Sequence, residues 1–191
     1  MVQPQPKPSL SPEEYLAIER QAEIRSEYLD GEMFAMAGGS REHNLIVTNI
    51  VRELSLHLKK RPGEVYSGDQ RVRIPEIDFY TYPDVVVACG EPRFEDEHLD
   101  TLLNPVLIVE VLSPTTEAYD RGKKFQYSQK IDSLAEYVLV AQDQHRVERF
   151  LRRDGNEWLL TTTTGLESTV LFSSIQCTLE LAEIYDKVKI G

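Results

Sequence analysis

Two strand-like apolar runs in this chain each carry one carboxylate. The first reads Tyr82-Pro83-Asp84-Val85-Val86-Val87-Ala88, and the second reads Val106-Leu107-Ile108-Val109-Glu110-Val111-Leu112. A charge inside a buried β run is costly unless it is paired or holds a cation, so two such groups call for a shared reason. Side chains alternate across a strand, which aligns Glu110 with Ile108 and Leu112, and Asp84 with Val86 and Ala88. If the strands are neighbours, as short connections favour, the two carboxylates converge at one end of a sheet. So placed they repel, and one keeps its proton unless Mg²⁺ or Mn²⁺ sits between them. A divalent metal is the leading shared reason for such a pair.

The elements that must position this pair can be read from pattern. Ser11-Pro12-Glu13-Glu14 supplies an N-cap, a first-position Pro and early acids, which predicts a helix running to about Glu23. Asp30-Gly31 between Glu27-Tyr28-Leu29 and Glu32-Met33-Phe34-Ala35-Met36 predicts a tight hairpin. His43, Ile46, Ile50 and Leu54 share one side of a helix predicted from Ser40 to about Lys60, ended by Pro62-Gly63. Strands are expected over Glu64 to Ile74 and Phe79 to Cys89, and Gly90 to Leu102 reads as an acidic, solvated loop. The almost unbroken run Val106 to Leu112 predicts a central strand covered on both faces. A helix from about Thr116 or Asp120 to Gln129, a buried strand Glu136 to Val140, a C-terminal β meander and a short helix near Leu181 to Tyr185 complete the reading. The implied fold class is α/β, a mixed β-sheet flanked by helices with an N-terminal hairpin.

Composition bounds the partners. The 191 residues are expected to form one domain, with residues 1–10 a flexible tail. Cys89 and Cys177 cannot build a disulfide framework and have no zinc-ligand spacing around them. The Pro-rich start does not resemble a secretory leader and no apolar run is long enough to span a bilayer, which points to the cytoplasm. A net charge of −11 argues against broad, non-specific binding of nucleic acid, whose affinity comes mostly from Lys and Arg displacing counterions.

Pro83-Asp84 followed by Glu110 in the next apolar strand resembles the PD-(D/E)xK, or restriction endonuclease-like, nuclease superfamily. There a Lys normally lies two residues after the Glu, and here that position is Leu112. Asn104-Pro105 through Ser113-Pro114, then Asp120-Arg121-Gly122-Lys123-Lys124-Phe125 with Tyr127 and Glu136-Tyr137, is similar to the Uma-two family of endonucleases. The likeness runs from about Ser11 to Tyr185. It implies a lysine moved onto the following helix, and Lys124 fits because it shares a helical side with Tyr127, Ser128 and Ile131, whereas Lys123 lines up with Gln126 and Lys130. By the same resemblance, Glu42-His43 and the strand residue Asp69 lie near the site, His43 to accept a proton, bind substrate phosphate or line the cleft, and Asp69 as a further metal ligand. The implied partner is DNA, cut by a homodimer whose two sites serve the two strands.

Plainer roles compete. Asp84 can cap a turn after Pro83, Lys124 can pair with Asp120 one helical turn earlier, His43 can be a boundary residue and Asp69 a loop acid. Three functional classes therefore stand: a Mg- or Mn-dependent endonuclease, an inactive nuclease-fold protein that binds nucleic acid or protein, and an acidic module with a structural carboxylate network. A basic cleft around the carboxylates favours the first two, and an Arg–carboxylate network without a cleft favours the third.

Overall fold

A computed structural model of the protein describes residues 9–190. In chain order it begins with helix α1 (Pro12–Glu19), the hairpin β1 (Ser26–Leu29) and β2 (Glu32–Ala35), and the long helix α2 (Arg41–Leu58). Strands β3 (Gly63–Ser67), β4 (Arg71–Ile74), β5 (Phe79–Thr81), β6 (Val85–Cys89), β7 (Thr101–Leu102) and β8 (Leu107–Leu112) follow. A broken helix then runs through α3 (Glu117–Tyr119), a π-helical turn (Asp120–Lys124) and α4 (Phe125–Ser128). The chain ends with β9 (Glu136–Ala141), β10 (Arg146–Arg152), β11 (Trp158–Thr164), β12 (Thr169–Phe172), β13 (Cys177–Glu180) and α5 (Leu181–Ile184).

The apolar run of β8 forbids either face from meeting water, and the fold places it in the middle of a six-stranded mixed sheet ordered β11-β10-β9-β8-β6-β3. It runs antiparallel to β6 and parallel to β9. Val85, Val87, Val109 and Val111 pack on one side with Ile46, Ile50 and Leu54 of α2. Val86, Ala88, Ile108 and Leu112 pack on the other, against Val72, Ile74 and Phe79 of a second, five-stranded sheet and against Phe125 of α4. Each fully buried aliphatic side chain here stabilises the fold by about 1.5–3 kcal/mol.

The expected single strands over 64–74 and 79–89 are each divided between the two sheets. β3 and β6 belong to the larger sheet, β4 and β5 to the smaller. Pro83 cannot donate to a ladder, and the chain bends there as it passes from one sheet to the other. Gly68 and Asp69 form the corresponding turn, closed by the Gln70 N–H donating to the Ser67 carbonyl at 3.0 Å. Asp69 is therefore a turn residue, not a strand residue.

Local signals at the helix starts and the first turn behave as their chemistry dictates. Ser11 and Glu14 form a reciprocal capping box, although α1 stops at Glu19, short of Glu23. Asp30 and Gly31 both adopt positive φ, 46° and 88°, as a two-residue hairpin turn requires. Residues 1–8 of the expected tail lie outside the described residues, while Leu10 is bound to the hairpin, its N–H donating to the Gly31 carbonyl. The C-terminal meander is also corrected: β12 pairs with β13, over Cys177–Glu180, as a separate two-stranded sheet against the α2 side of the core.

Candidate active site

Antiparallel pairing of Val85 with Val109 and Val86 with Ile108, carried one residue further, sets Asp84 opposite Glu110. Residues opposed in this way share a face, with Cβ atoms about 4.5–5.5 Å apart. Asp84 is locked at the strand end by the Val111 N–H, which donates to its Oδ2 at 2.7 Å. Glu110 is 3% exposed. The two carboxylates thus stand together in the lining of a cleft of about 760 Å³.

Lys124 reaches the same place from the broken helix. Its Nζ lies 2.9 Å from Glu110 Oε1, 3.2 Å from Glu27 Oε1 and 3.9 Å from Asp120 Oδ1. The π-helical turn Asp120–Lys124 widens the helix at this point, and both of its end residues are buried. Tyr137 Oη donates to the Asp120 carbonyl at 3.0 Å, tying the turn to β9. Lys123, one residue earlier, is exposed and lies at the rim of the cleft. Leu112, where the superfamily places its lysine, is a buried core residue beside Ile108 and Phe125.

Glu27 was not legible as a site residue in the sequence. Its strand β1 is brought over by pairing Tyr28 with Tyr80 of β5. Thr81 Oγ1 donates to Glu27 Oε1, and Tyr119 Oη donates to Oε2 at 3.2 Å. A polar Glu between strand residues hinted at an inward carboxylate, but nothing local said which helix would meet it.

His43 comes from the opposite layer, at the first turn of α2. Ser40 caps this helix by accepting from the His43 N–H at 3.0 Å, and its own hydroxyl donates to Gln142 Oε1 at 2.7 Å. The imidazole Nε2 stands 3.1 Å from Asp84 Oδ2. A Cβ at Gly39 would come within 2.5 Å of His43 Nδ1, so a glycine is what lets the ring lie against this loop. Burial pulls the imidazole pKa down, but the hydrogen bond and charge of Asp84 and the charge of Asp120 outweigh it and leave it raised.

The structure does not bring Asp69 to this cluster. Its side chain is 87% exposed and faces Arg25 at 3.6 Å, and it does not line the cleft. The acidic loop differs from expectation too: it is anchored, with Asp96 and Asp100 bound by Arg20 at 2.7 and 2.8 Å and Asp100 also by the buried Arg71 at 2.9 Å. An Arg–carboxylate network is therefore present, but it fastens this loop while the Asp84–Glu110 cleft stays open beside Lys123.

The donor set fits a hard divalent cation. Glu27, Glu110 and Asp120 bring three carboxylates around the Lys124 ammonium, and Asp84 adds a fourth beside Glu110 on the neighbouring strand. Burial raises the Glu110 pKa well above its usual range, and the charges of Asp120 and Asp84 add to this against the pull of Lys124. For Lys124, burial disfavours the ammonium, but Glu110, Glu27 and Asp120 overcome it and hold the amine charged. Such an excess of carboxylate favours a cation, and all-oxygen ligands suit Mg²⁺ or Mn²⁺. Among the described residues no three Asp, Glu, His or Cys side chains already form a compact ligand set, so any ion would draw Asp84 and Glu110 as its protein ligands and complete its shell from water or substrate.

The chain thus presents a mixed sheet flanked by helices, with Asp84 and Glu110 on adjoining strands and Lys124 buried beside them. The chain belongs to the Uma2 family: the family model, described as "putative restriction endonuclease", matches residues 12–182. It is 38% identical over 164 residues to an uncharacterized protein, sll1609, of Synechocystis sp. (strain ATCC 27184 / PCC 6803 / Kazusa), covering 86% of this chain and 93% of that protein. A second uncharacterized Synechocystis protein, slr1290, is 38% identical over 155 residues, covering 81% of this chain and 80% of the other. The fold matches a crystal structure described as "a putative nuclease belonging to DUF820" from Anabaena variabilis ATCC 29413, with a TM-score of 0.76 at 18% identity over 94% of this chain and 99% of that one. No helix among the described residues is long and apolar enough to cross a membrane.

Proposed function

We propose that this protein is a metal-dependent endonuclease that hydrolyses DNA phosphodiester bonds. The observation that carries the reading is Lys124 Nζ at 2.9 Å from Glu110 Oε1, an ammonium beside the strand glutamate although the usual lysine position holds Leu112. Asp84 and Glu110 would hold a Mg²⁺ or Mn²⁺ ion, with Asp120 in support in place of Asp69. When bound, such an ion supplies Lewis-acid stabilisation of phosphate charge and lowers the pKa of a water that serves as nucleophile.

The chain's own residues have separable tasks. Lys124 holds a fixed positive charge beside the acid pair, where it orients the attacking water and stabilises charge building on the phosphate. Glu27, braced by Thr81 and Tyr119, fixes the position of that amine. His43 binds a substrate phosphate oxygen from the α2 side, and Asp84 holds its ring in place. We read the chain as one domain working in the cytoplasm as a homodimer.

The test is incubation of the purified protein with plasmid and single-stranded DNA in Mg²⁺ or Mn²⁺. Cleavage by the parent that is lost with chelator and in Glu110→Gln is the expected result. A parent that cuts neither substrate overturns the catalytic reading in favour of an inactive nuclease-fold protein, a reading favoured by the ion pairs that already engage the Lys124 amine.

A further inference from the structure

One side chain that lines this cleft packs into none of the hydrophobic clusters of the core. Of the Phe, Tyr and Trp residues in the described chain, Phe34 alone is exposed, at 48%. It lies on β2, directly opposite Glu27 in the β1–β2 register, so its ring stands on the same face as the carboxylate that positions Lys124. It also lines the same cleft. The other aromatic rings are buried or half-buried, whereas this one is exposed beside Ala35, Met36 and Ala37 in the lining of the same cleft, so it belongs to an apolar strip at a candidate active site and is not a lone surface residue.

Charge and size narrow what it binds. A duplex carries one phosphate charge per about 1.7 Å of axis and is held mainly by tracks of Lys and Arg. The cleft offers Lys123 at its rim, but Lys124 is already paired, and Glu27, Asp84, Glu110 and Asp120 also line it. A net charge of −11 adds long-range repulsion. Its volume of about 760 Å³ falls in the range of small-ligand sites, suited to a few nucleotide units and not to the cross-section of a helix. Single-strand sites combine a stacking ring with positive charge along the backbone, and Phe34 with Lys123 supplies one of each here.

We propose that the cleft takes single-stranded DNA, with one base laid on Phe34 and the adjoining phosphate directed past Lys123 toward the acid pair. This substrate class rests on the nuclease reading above. A duplex then enters only where its strands have separated.

The experiment measures fluorescence anisotropy of labelled oligothymidine, alone and annealed to oligoadenosine, in chelator and again in Mn²⁺. Parent protein is expected to bind the single strand at least about tenfold more tightly than the duplex, and Phe34→Leu to lose about tenfold, the scale of one base–aromatic stack. Phe34→Trp should restore binding, because it keeps a π face that leucine lacks. Circular dichroism and thermal midpoint, expected to be unchanged at this exposed edge, verify the fold of each variant. Equal binding by parent and Phe34→Leu, equal affinity for single strand and duplex, or no restoration by Phe34→Trp each overturns the proposal. Cleavage assayed on the same samples separates the two readings. A parent that cuts nothing, yet loses oligothymidine binding in Phe34→Leu, overturns the nuclease and retains this binding mode; one that cuts duplex as readily as single strand, unaffected by Phe34→Leu, does the reverse.

Discussion

At the residue scale, the separation of Lys124 from Lys123 is the sharpest consequence of the geometry. The two are adjacent in sequence, but one amine is buried among Glu110, Glu27 and Asp120 and the other stands at the cleft rim. Lys124→Ala should lower DNA cleavage by at least about 10²-fold, the scale for losing one preorganised contact to developing charge. Lys123→Ala should change turnover far less, with any effect confined to substrate binding. Equal cleavage by the parent and Lys124→Ala would mean that another group supplies the positive charge. Metal binding has its own readout: Mn²⁺ at about 100 times its dissociation constant should stabilise the parent by about 2.7 kcal/mol, seen as a raised thermal midpoint. Glu110→Gln should abolish that rise while remaining folded, since it removes one charge from a crowded carboxylate group; an equal rise in both proteins places the ion elsewhere.

At the scale of elements, the link between the acidic loop and the smaller sheet makes a pH-dependent prediction. Burial alone would raise the Asp100 pKa, but the hydrogen bond from Arg20 and the charge of Arg71 overcome it and hold the carboxyl well below its usual range. Because the folded value is depressed below an unfolded value of about 3.9, the stabilisation is present above that pH and is lost as pH falls toward the folded value. Asp100→Asn should therefore flatten the fall in thermal midpoint below about pH 4. At neutral pH it should cost about 1–3 kcal/mol, because Arg71 is left buried, with the loss moderated by the 34% exposure of Asp100. A parent and variant whose midpoints run parallel through the acid range would remove this carboxylate from the account.

At the scale of the whole molecule, β11 is an edge strand of the larger sheet and lacks the usual protections against pairing. Its sequence Trp158-Leu159-Leu160-Thr161-Thr162-Thr163-Thr164 contains no charge, Pro or Gly, and Leu159 and Leu160 are 45% and 49% exposed. Two copies that repel through their net charge can meet along this neutral strip. An antiparallel pairing centred on Thr161 sets Leu160 against Thr162 and Leu159 against Thr163, which keeps each face in register with itself. Sedimentation should show a homodimer for the parent and a monomer for Thr161→Lys. A parent that stays monomeric at every concentration rules out this interface.

How much of this was legible before folding differs by feature. The acid pair, the central strand and the long helix were readable because each signal is local: an apolar run with one interrupting carboxylate, or a stripe at helical spacing. The capping box at Ser11 and the Asp30-Gly31 turn were readable for the same reason, since the chemistry that defines them lies within a few residues. The division of 64–74 and 79–89 between two sheets was not, because apolar character persists through the crossover and only Pro83 and Gly68 mark it. The π turn, the capture of Lys124 by Glu27, the displacement of Asp69 toward Arg25 and the arginine anchoring of the acidic loop were likewise decided by tertiary structure. Each depends on two segments distant in sequence arriving at one place, and a buried charge takes as its partner whichever opposite charge the packing of the layers brings within reach.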